Sequence, residues 1–315
     1  MIKTANSARA EQNAPAPSGL LLFNKKAGIT SFEALREIKR ALGTGKVGHT
    51  GTLDKFAEGL LVVLSGQALK LSQWFSNCDK QYLGSIRFGI ETDTLDPEGN
   101  TVFEAPLPSR EAVEKVLEQF TGDIQQEPPA YSAIHVDGQR ASDLARKGQT
   151  PVMKKRPVHI YRLELGSWDP PLANIFVHCS SGTYIRSLAR DIAIAAGSRA
   201  HLAGLLRTRV AGFKLEDAWD CKSSAPALRP IDKAVISALG FPWFEVSAIE
   251  AEKIFHGKPL PEILNNKSVF PQGKLVSDFP AAVFSGDELI AIVEKNGGKW
   301  KYGCVFGNCG ISAGR

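Results

Sequence analysis

A glycine-rich stretch delivers one carboxylate directly before a strongly apolar segment. Residues 48–54 read GHTGTLD, and residues 59–64 read GLLVVL, a run that predicts a buried strand. Glycines let a backbone approach a ligand closely, and loops at the edge of a rigid sheet often carry catalytic groups. Asp54 is therefore a candidate catalytic carboxylate, although a turn or cap is the commonest task of Asp in such a loop.

Three further side chains could act together with a catalytic carboxylate at Asp54. Arg186 falls in the first turn of a predicted helix, where the positive end of the helix dipole makes an anionic partner favourable. Tyr82 lies on an otherwise apolar predicted strand, and His49 could stack on a base or contact a phosphate. Each of these residues could instead have a purely structural role. Arg186 could form a surface ion pair, Tyr82 could be a core tyrosine, and His49 could be a structural histidine.

Several standard chemistries lack their motifs. The sequence contains no H-x-E with P-C-x-x-C, no H-E-x-x-H and no G-x-S-x-G. Residues 43–48 match G-x-G-x-x-G, but they follow a predicted helix rather than a strand, which is the wrong context for dinucleotide binding. The five cysteines are scattered and form no C-x-x-C pair, which favours a reducing compartment. We therefore predict neither a cofactor nor a metal ion.

The charge distribution is compatible with a polyanionic partner. The 315 residues carry a net charge of +5, with 43% hydrophobic residues and no apolar run long enough to span a membrane. Basic residues concentrate in residues 138–160 and 184–210, each of which has a single acidic residue, whereas residues 241–315 are balanced. Two such clusters are about equally compatible with a nucleic-acid surface and with an ordinary solvated face. We expect a cytoplasmic monomer with no membrane association.

Hydrophobic periodicity predicts interspersed strands and helices without regular βαβ units, which favours an α+β fold with a mixed sheet. A helix should begin after Thr30, with Glu33 completing a capping box, and should end at Gly43. Its apolar stripe should contain Phe32, Leu35 and Ile38. Residues 1–18 predict a disordered tail, residues 19–240 a large domain, and residues 241–315 a small β-rich domain.

Several ordered motifs together resemble the bacterial TruB family of tRNA pseudouridine synthases. They are GHTGTLD at 48–54, DKQY at 79–82, TDTLDPEG at 92–99, PPAYSA at 128–133, SGTYIRSL at 181–188 and LLR at 205–207. The resemblance implies a largely antiparallel sheet, an RNA-gripping thumb insertion at about 125–157 and a C-terminal PUA-like module. This sequence departs from the family pattern at two positions. Lys55 stands where the family usually has proline, and Glu58 stands where the family commonly has a small hydroxyl residue.

The same resemblance implies a cofactor-free isomerisation of uridine 55 in the T loop of tRNA. Asp54 would be the nucleophile, Arg186 would hold it ionised, and Tyr82 would stack near the uracil as a candidate for proton transfer. The implied substrate-binding residues are His49, Tyr184, Leu206, Arg146, Lys147 and Lys154, with Leu206 packing on the base. Three alternatives remain open: a non-catalytic tRNA-binding or folding chaperone, a nucleoside hydrolase, and a guide-RNA-dependent synthase.

Overall fold

The structure is a computed structural model that describes residues 16–220, 226–264, 267–271 and 280–307. Residues 1–15 of the predicted tail, Cys221 and Cys309 lie outside this part of the chain. The remaining tail residues contact the sheet, since Ser65 Oγ donates a hydrogen bond to the carbonyl oxygen of Pro17. None of the described helices combines the length and apolar character needed to cross a membrane.

The described strands and helices alternate irregularly along the chain. The strands are β1 (Gly19–Lys25), β2 (Val47–His49), β3 (Glu58–Ser65), β4 (Lys80–Phe88), β5 (Ile90–Thr92), β6 (Thr101–Glu104), β7 (Gly122–Gln126), β8 (His135–Val136), β9 (Gln139–Arg140), β10 (Arg156–Asp169), β11 (Leu172–Cys179), β12 (Ala200–Val210), β13 (Phe213–Lys214), β14 (Trp243–Glu245), β15 (Val269–Phe270), β16 (Ala281–Ser285), β17 (Glu288–Asn296) and β18 (Lys299–Val305). The helices are α1 (Ser31–Leu42), α2 (Ser72–Ser76), α3 (Arg110–Leu117), α4 (Ala141–Arg146), α5 (Ile185–Ala195), α6 (Lys233–Ala238), α7 (Ala248–Phe255) and α8 (Leu260–Leu264).

A nine-stranded sheet forms the larger part of the described structure. Its main path runs β1-β3-β12-β4-β11-β10-β7, with β2 paired to β3 and β13 to β12. Only the contact between β12 and β3 is parallel among the described pairs of this sheet. The predicted mixed, largely antiparallel α+β fold is confirmed.

The apolar strands β1 and β3 are buried on both faces, which explains their continuous apolar sequences. Because side chains alternate along a strand, Leu20 and Leu22 join one core cluster while Leu21 and Phe23 join another. The second cluster is covered by α1. A third cluster packs β4 and β11 against α5, and this packing fixes the helix that carries Arg186.

A smaller five-stranded sheet, with the order β15-β14-β16-β17-β18, follows in the C-terminal part. Helices α7 and α8 pack on it. Ala282, Phe284 and Ile292 of this sheet belong to the same cluster as Leu20 and Leu22. The predicted β-rich C-terminal part is confirmed and is packed against the larger sheet through a shared core, while the predicted domain boundaries stay predictions.

The helix α1 follows its sequence signals at both ends but not along its apolar stripe. Thr30 and Glu33 form the predicted capping box, and Gly43 ends the helix with a φ of 63°. Phe32, however, was predicted to be buried and is 61% exposed, because Ser31 and Ala34 occupy the buried face instead. The Phe32 ring instead lies under the Arg36 guanidinium, 5.5 Å from its centre.

Candidate active site

The loop that carries Asp54 is tied to the surrounding sheet by its main chain. It connects β2 to β3, which pair antiparallel. Ser31 Oγ donates to the carbonyl oxygen of Leu53 and accepts from the Leu53 N–H. Lys25 Nζ donates to the carbonyl oxygen of Ala57 at 2.5 Å. These bonds fix both sides of Asp54, so the carboxylate belongs to a rigid loop.

Gly59, at the start of β3, permits the close approach of two strands. Its φ of +102° is a conformation that other residues rarely adopt, and a β-carbon there would collide with the main chain of Arg207. Arg207 in turn donates from Nε to the Leu60 carbonyl oxygen and from Nη2 to that of Gly51. The buried guanidinium thus ties the glycine-rich loop to β12.

Arg186 connects two carboxylates at the centre of the site. Its Nη2 donates to Asp54 Oδ1 at 3.1 Å and to the carbonyl oxygen of Tyr131 at 2.9 Å. Its Nη1 donates to the carbonyl oxygen of Thr94 at 2.8 Å and to Asp96 Oδ2 at 3.3 Å. Nε lies 2.9 Å from Asp54 Oδ2 without the alignment of a hydrogen bond. Because the Arg186 side chain is only 5% exposed, these contacts are shielded from water.

Burial and charge act in opposite directions on Asp54. The surrounding protein desolvates the carboxylate, although 36% of its side chain is accessible, and this raises the pKa of Asp54 above its ordinary value. The Arg186 guanidinium opposes that rise, while nearby Asp96 adds to it. The predicted ion pair with Arg186 is present, but burial outweighs its effect on the pKa.

Tyr82 and His49 lie near Arg207 and line the same cavity as Asp54. Burial raises the pKa of Tyr82 to about 12, and the positive charge of Arg207 partly opposes this rise. Burial, with a smaller contribution from Arg207, lowers the pKa of His49, which favours the neutral ring. A phenol with such a high pKa is a poor base at neutral pH, so Tyr82 suits packing and hydrogen bonding better than proton abstraction.

The cavity has a volume of about 590 Å³ and lies between the Asp54 loop, β4, β12, the start of α5 and the segment that precedes α4. It brings together residues that are far apart in sequence. Its chemistry-bearing lining residues are His49, Asp54, Lys80, Tyr82, Arg140, Arg146, Tyr184, Arg186 and Arg207. Within the described residues, no cluster of three or more His, Cys, Asp or Glu side chains is placed to hold a metal ion.

Comparisons with known proteins agree with this arrangement. Residues 39–185 match the model of the TruB family pseudouridylate synthase N-terminal domain. The chain is 39% identical to a tRNA pseudouridine synthase B of Borreliella burgdorferi over 293 residues, covering 92% of this chain and 99% of that protein. It is 36% identical to one from Francisella tularensis subsp. novicida, covering 90% and 92% of the two chains.

The chain belongs to the TruB family of pseudouridylate synthases. It is therefore an enzyme of the isomerase class, as the sequence motifs predicted. Among solved structures, a Cbf5-Nop10-Gar1 complex matches with a TM-score of 0.65 and 22% identity, covering 89% of this chain and 79% of the other. That likeness supports the fold.

Only some of the residues predicted to bind substrate in this TruB family chain line the cavity. His49, Tyr184 and Arg146 line the cavity. Lys147 and Lys154 are exposed and lie outside its lining, as does Leu206. The neighbouring Leu205 lines the cavity instead, because successive side chains of β12 point to opposite faces. The role proposed for Leu206 stays a prediction, and the geometry favours Leu205 as the residue that meets the base.

The two departures from the family motif have local explanations. Lys55 does not pair with Glu58; its ammonium lies 3.1 Å from a carboxylate oxygen of Glu98, and both side chains are about half exposed. Such a surface pair contributes little stability. Glu58 begins β3 and is exposed. The Asp54 loop therefore keeps its main-chain contacts with a lysine in the position after the aspartate.

Several residues of the site were not recognised from sequence as its members. Four of them were predicted only as members of the quoted motifs, without a role in the site: Asp96, Tyr131, Lys80 and Arg207. A signal existed for Asp96, since a carboxylate in a T-D-T-x-D turn is a potential partner for a buried arginine. For Arg207 and Lys80 the sequence contained no signal beyond their membership of these motifs.

We predict that the catalytic rate falls on acidification through a pKa higher than that of an ordinary aspartate, which is ~3.9. The physical reason is the raised pKa of Asp54: its ionised form is present above that pKa and is lost as the pH decreases through it. Single-turnover rates measured from about pH 4 to 8, with unfolding temperatures recorded at each pH, would test this. A rate that stays constant down to the ordinary pKa would contradict it.

Proposed function

We propose that this pseudouridine synthase converts the T-loop uridine of tRNA, position 55 in tRNA numbering, to pseudouridine, with Asp54 as the nucleophile. The observation that carries the proposal is the Asp54 carboxylate, held by Arg186 in a cavity that also exposes Tyr82 and basic groups. The N1–C1′ bond breaks, the uracil turns, and C5 bonds to C1′. A carboxylate beside the anomeric carbon stabilises the positive charge that develops there, as it does in glycoside cleavage.

The choice of tRNA rests on charge and on the relatives. The motifs resemble those of synthases that act on the T loop, and the similar curated proteins are named tRNA pseudouridine synthase B. Arg140 and Arg146 bring positive charge to the cavity from the predicted thumb, residues 125–157, which suits a phosphate backbone. The target uridine has to leave its stack, at a cost of ~a few kcal/mol, before it reaches Asp54.

The proposal extends to the organisation of the chain. The catalytic domain would span residues 19–240, and the β-rich C-terminal region, residues 241–315, would be a PUA-like RNA-binding module. The enzyme would act as a cytoplasmic monomer and without a cofactor. The motif resemblance supports these statements, and the two-sheet architecture supports the division into two parts.

Release of tritium from an unmodified T stem-loop transcript labelled at C5 of uridine tests the function. C5 of uridine loses its hydrogen once it is bonded to C1′, so each conversion releases one tritium label to water. We expect stoichiometric release without any added cofactor. No release at equimolar enzyme of intact fold would overturn the proposal, and release of free uracil would indicate a hydrolase instead.

We predict that Arg146→Ala weakens tRNA binding and lowers the salt dependence of the association constant by about one unit of log-log slope. Arg146 lies at the end of α4 and lines the cavity, and its one ion pair among the residues that the structure describes is an exposed pair with Asp143. Fluorescence titrations at several salt concentrations would measure this slope. Arg110→Ala is a matched control, because Arg110 forms a similar exposed pair with Glu114 outside the cavity; an equal change in both variants would contradict the prediction.

A further inference from the structure

Lys80 is a buried lysine that lines the cavity and has no role in the mechanism described so far. It begins β4, and the residue is 8% exposed. Its ammonium donates to the carbonyl oxygens of Ser76 at 3.0 Å and Cys78 at 2.5 Å. Lys80 and Tyr82 are two residues apart on the same face of β4, and both line the cavity that contains Asp54.

The Lys80 ammonium is held by neutral groups rather than by a carboxylate. Within the described residues, it takes part in no ion pair. Burial, and then the nearby Arg207, lowers the pKa of Lys80 to about 8, so the charged form still predominates at neutral pH. An ammonium has three donors, and two of them are used. A desolvated cation beside a cavity gains most from an anion that enters it.

Gly51 lies beside both Lys80 and Arg207. A β-carbon on Gly51 would lie 3.5 Å from Arg207 Nη1 and 3.7 Å from Lys80 Cε. The glycine loop therefore brings two cations together on the side of the cavity where Tyr82 lies. Arg186 is occupied differently, because it already contacts the carboxylates of Asp54 and Asp96.

The proposed isomerisation creates an anion inside this cavity. When the N1–C1′ bond breaks, its electron pair remains on the ring, and the resulting uracil anion carries negative charge on N1 and on its carbonyl oxygens. The sugar carbon becomes electron-poor and is stabilised by Asp54. The uracil must stay in the cavity while it turns, so a group that stabilises its charge also prevents its loss.

We propose that the Lys80 ammonium, with Arg207 beside it, contacts the departing uracil and stabilises the negative charge on its carbonyl oxygen. The inference rests on the proposed function and adds to it the group that stabilises the leaving base. Lys80 keeps its proton throughout. N1 gains a proton and C5 loses one when the new C5–C1′ bond forms, so the overall reaction stays an isomerisation.

The test compares two leaving groups in the same RNA. Fluorine at C5 withdraws electrons and makes the uracil anion intrinsically more stable, so it needs the ammonium less. We expect Lys80→Met to lower the single-turnover rate by about 100-fold with a uridine target, as the loss of one oxyanion donor does, and by about 10-fold with a 5-fluorouridine target. Nucleoside mass spectrometry measures the loss of each starting nucleoside at saturating enzyme. The fluorinated base has no C5 proton to lose after the C5–C1′ bond forms, so its rearranged form takes up water across the N1–C6 double bond. An equal loss with both RNAs would overturn the inference.

Lys25→Met is the matched control. Lys25 is also a buried lysine whose ammonium donates to carbonyl oxygens, and burial lowers its pKa to about 8, but it does not line the cavity. Removal of the Lys25 ammonium should lower the single-turnover rate by the same factor with the uridine and the 5-fluorouridine RNA. A leaving-group difference in Lys25→Met as large as that in Lys80→Met would overturn the inference, since it would reflect general loss of structure.

Two further readouts separate the possible outcomes. Lys80→Arg keeps a cation and should retain most of the rate with uridine, whereas the dissociation constant for RNA should stay within about 2-fold in all Lys80 variants. Weaker binding with an unchanged rate would assign Lys80 to a phosphate and overturn the inference. An inactive wild-type enzyme would instead overturn the proposed function, so the two failures are distinguishable.

Discussion

Asp54→Asn is expected to reduce pseudouridine formation by at least about 10⁴-fold while the enzyme still binds tRNA, as the loss of a nucleophile does in other covalent catalysts. The amide has nearly the same shape as the carboxylate, but it has no negative charge to stabilise the sugar carbon and is a poor nucleophile. Asp54 contributes little to the fold, since the main chain of Leu53 and Ala57 fixes the loop independently. Tritium release and filter binding measure the two quantities separately.

Asp287→Asn controls for the chemical change itself. Asp287 is fully exposed, lies in the turn between β16 and β17, and its nearest cation is Lys233 at 4.0 Å. This variant should keep wild-type turnover. If Asp54→Asn also kept its turnover, Asp54 would not be the nucleophile. If the wild-type protein formed no pseudouridine but folded tRNA equally well with either residue at position 54, the chaperone alternative would replace the synthase proposal.

Local sequence signals predicted the elements whose ends are fixed by short-range chemistry. The capping box of Thr30 and Glu33 and the left-handed Gly43 bound α1 as expected. The apolar runs of β1 and β3 were recognisable because both faces of these strands are covered. Such features depend on residues within one turn or one strand, so a single sequence contains the information.

Elements that depend on distant partners were missed or misjudged. Strand β7 was not predicted because its sequence, GDIQQ, shows little apolar alternation, and it is a strand because it pairs with β10. Helix α7 was missed for a different reason: its capping box of Ser247 and Glu250 is a local signal, and it was overlooked. The apolar stripe of α1 was misjudged at Phe32, since the position of the sheet, rather than the helical period alone, decides which face is buried.

The candidate site shows the same difference between local signals, which the sequence contains, and long-range contacts, which it does not. The glycine-rich loop drew attention to Asp54, and the helix start drew attention to Arg186, but their contact depends on the packing of α5 against β4 and β11. The contact between Asp96 and Arg186 depends on the position of a turn beside β12, as shown by the hydrogen bond from the Leu202 N–H to the Leu95 carbonyl oxygen. Pairing across such sequence distances follows from the fold and not from local pattern.

Arg186→Met is expected to have the second large effect, and on two properties at once. The variant leaves the carboxylates of Asp54 and Asp96 close together without their shared cation, and it removes the donors to the carbonyl oxygens of Thr94 and Tyr131. Breaking a buried pair by removing one partner costs about 3–5 kcal/mol, so the free energy of unfolding should fall by that amount. The rate should fall by about 10³-fold, because Asp54 loses both its orientation and its counter-charge.

The double variant Arg186→Met with Asp96→Asn separates the two effects. Removing one of the two neighbouring carboxylates relieves their repulsion, so part of the lost unfolding free energy should return in urea titrations. The single-turnover rate should not return, since Asp54 still lacks a group that holds it. If the rate recovered in parallel with stability, Arg186 would act on catalysis only by maintaining the fold. If stability did not recover, the carboxylate pair would not be the source of the loss. A rate that stays low in a restabilised protein would assign Arg186 to the positioning of the Asp54 carboxylate.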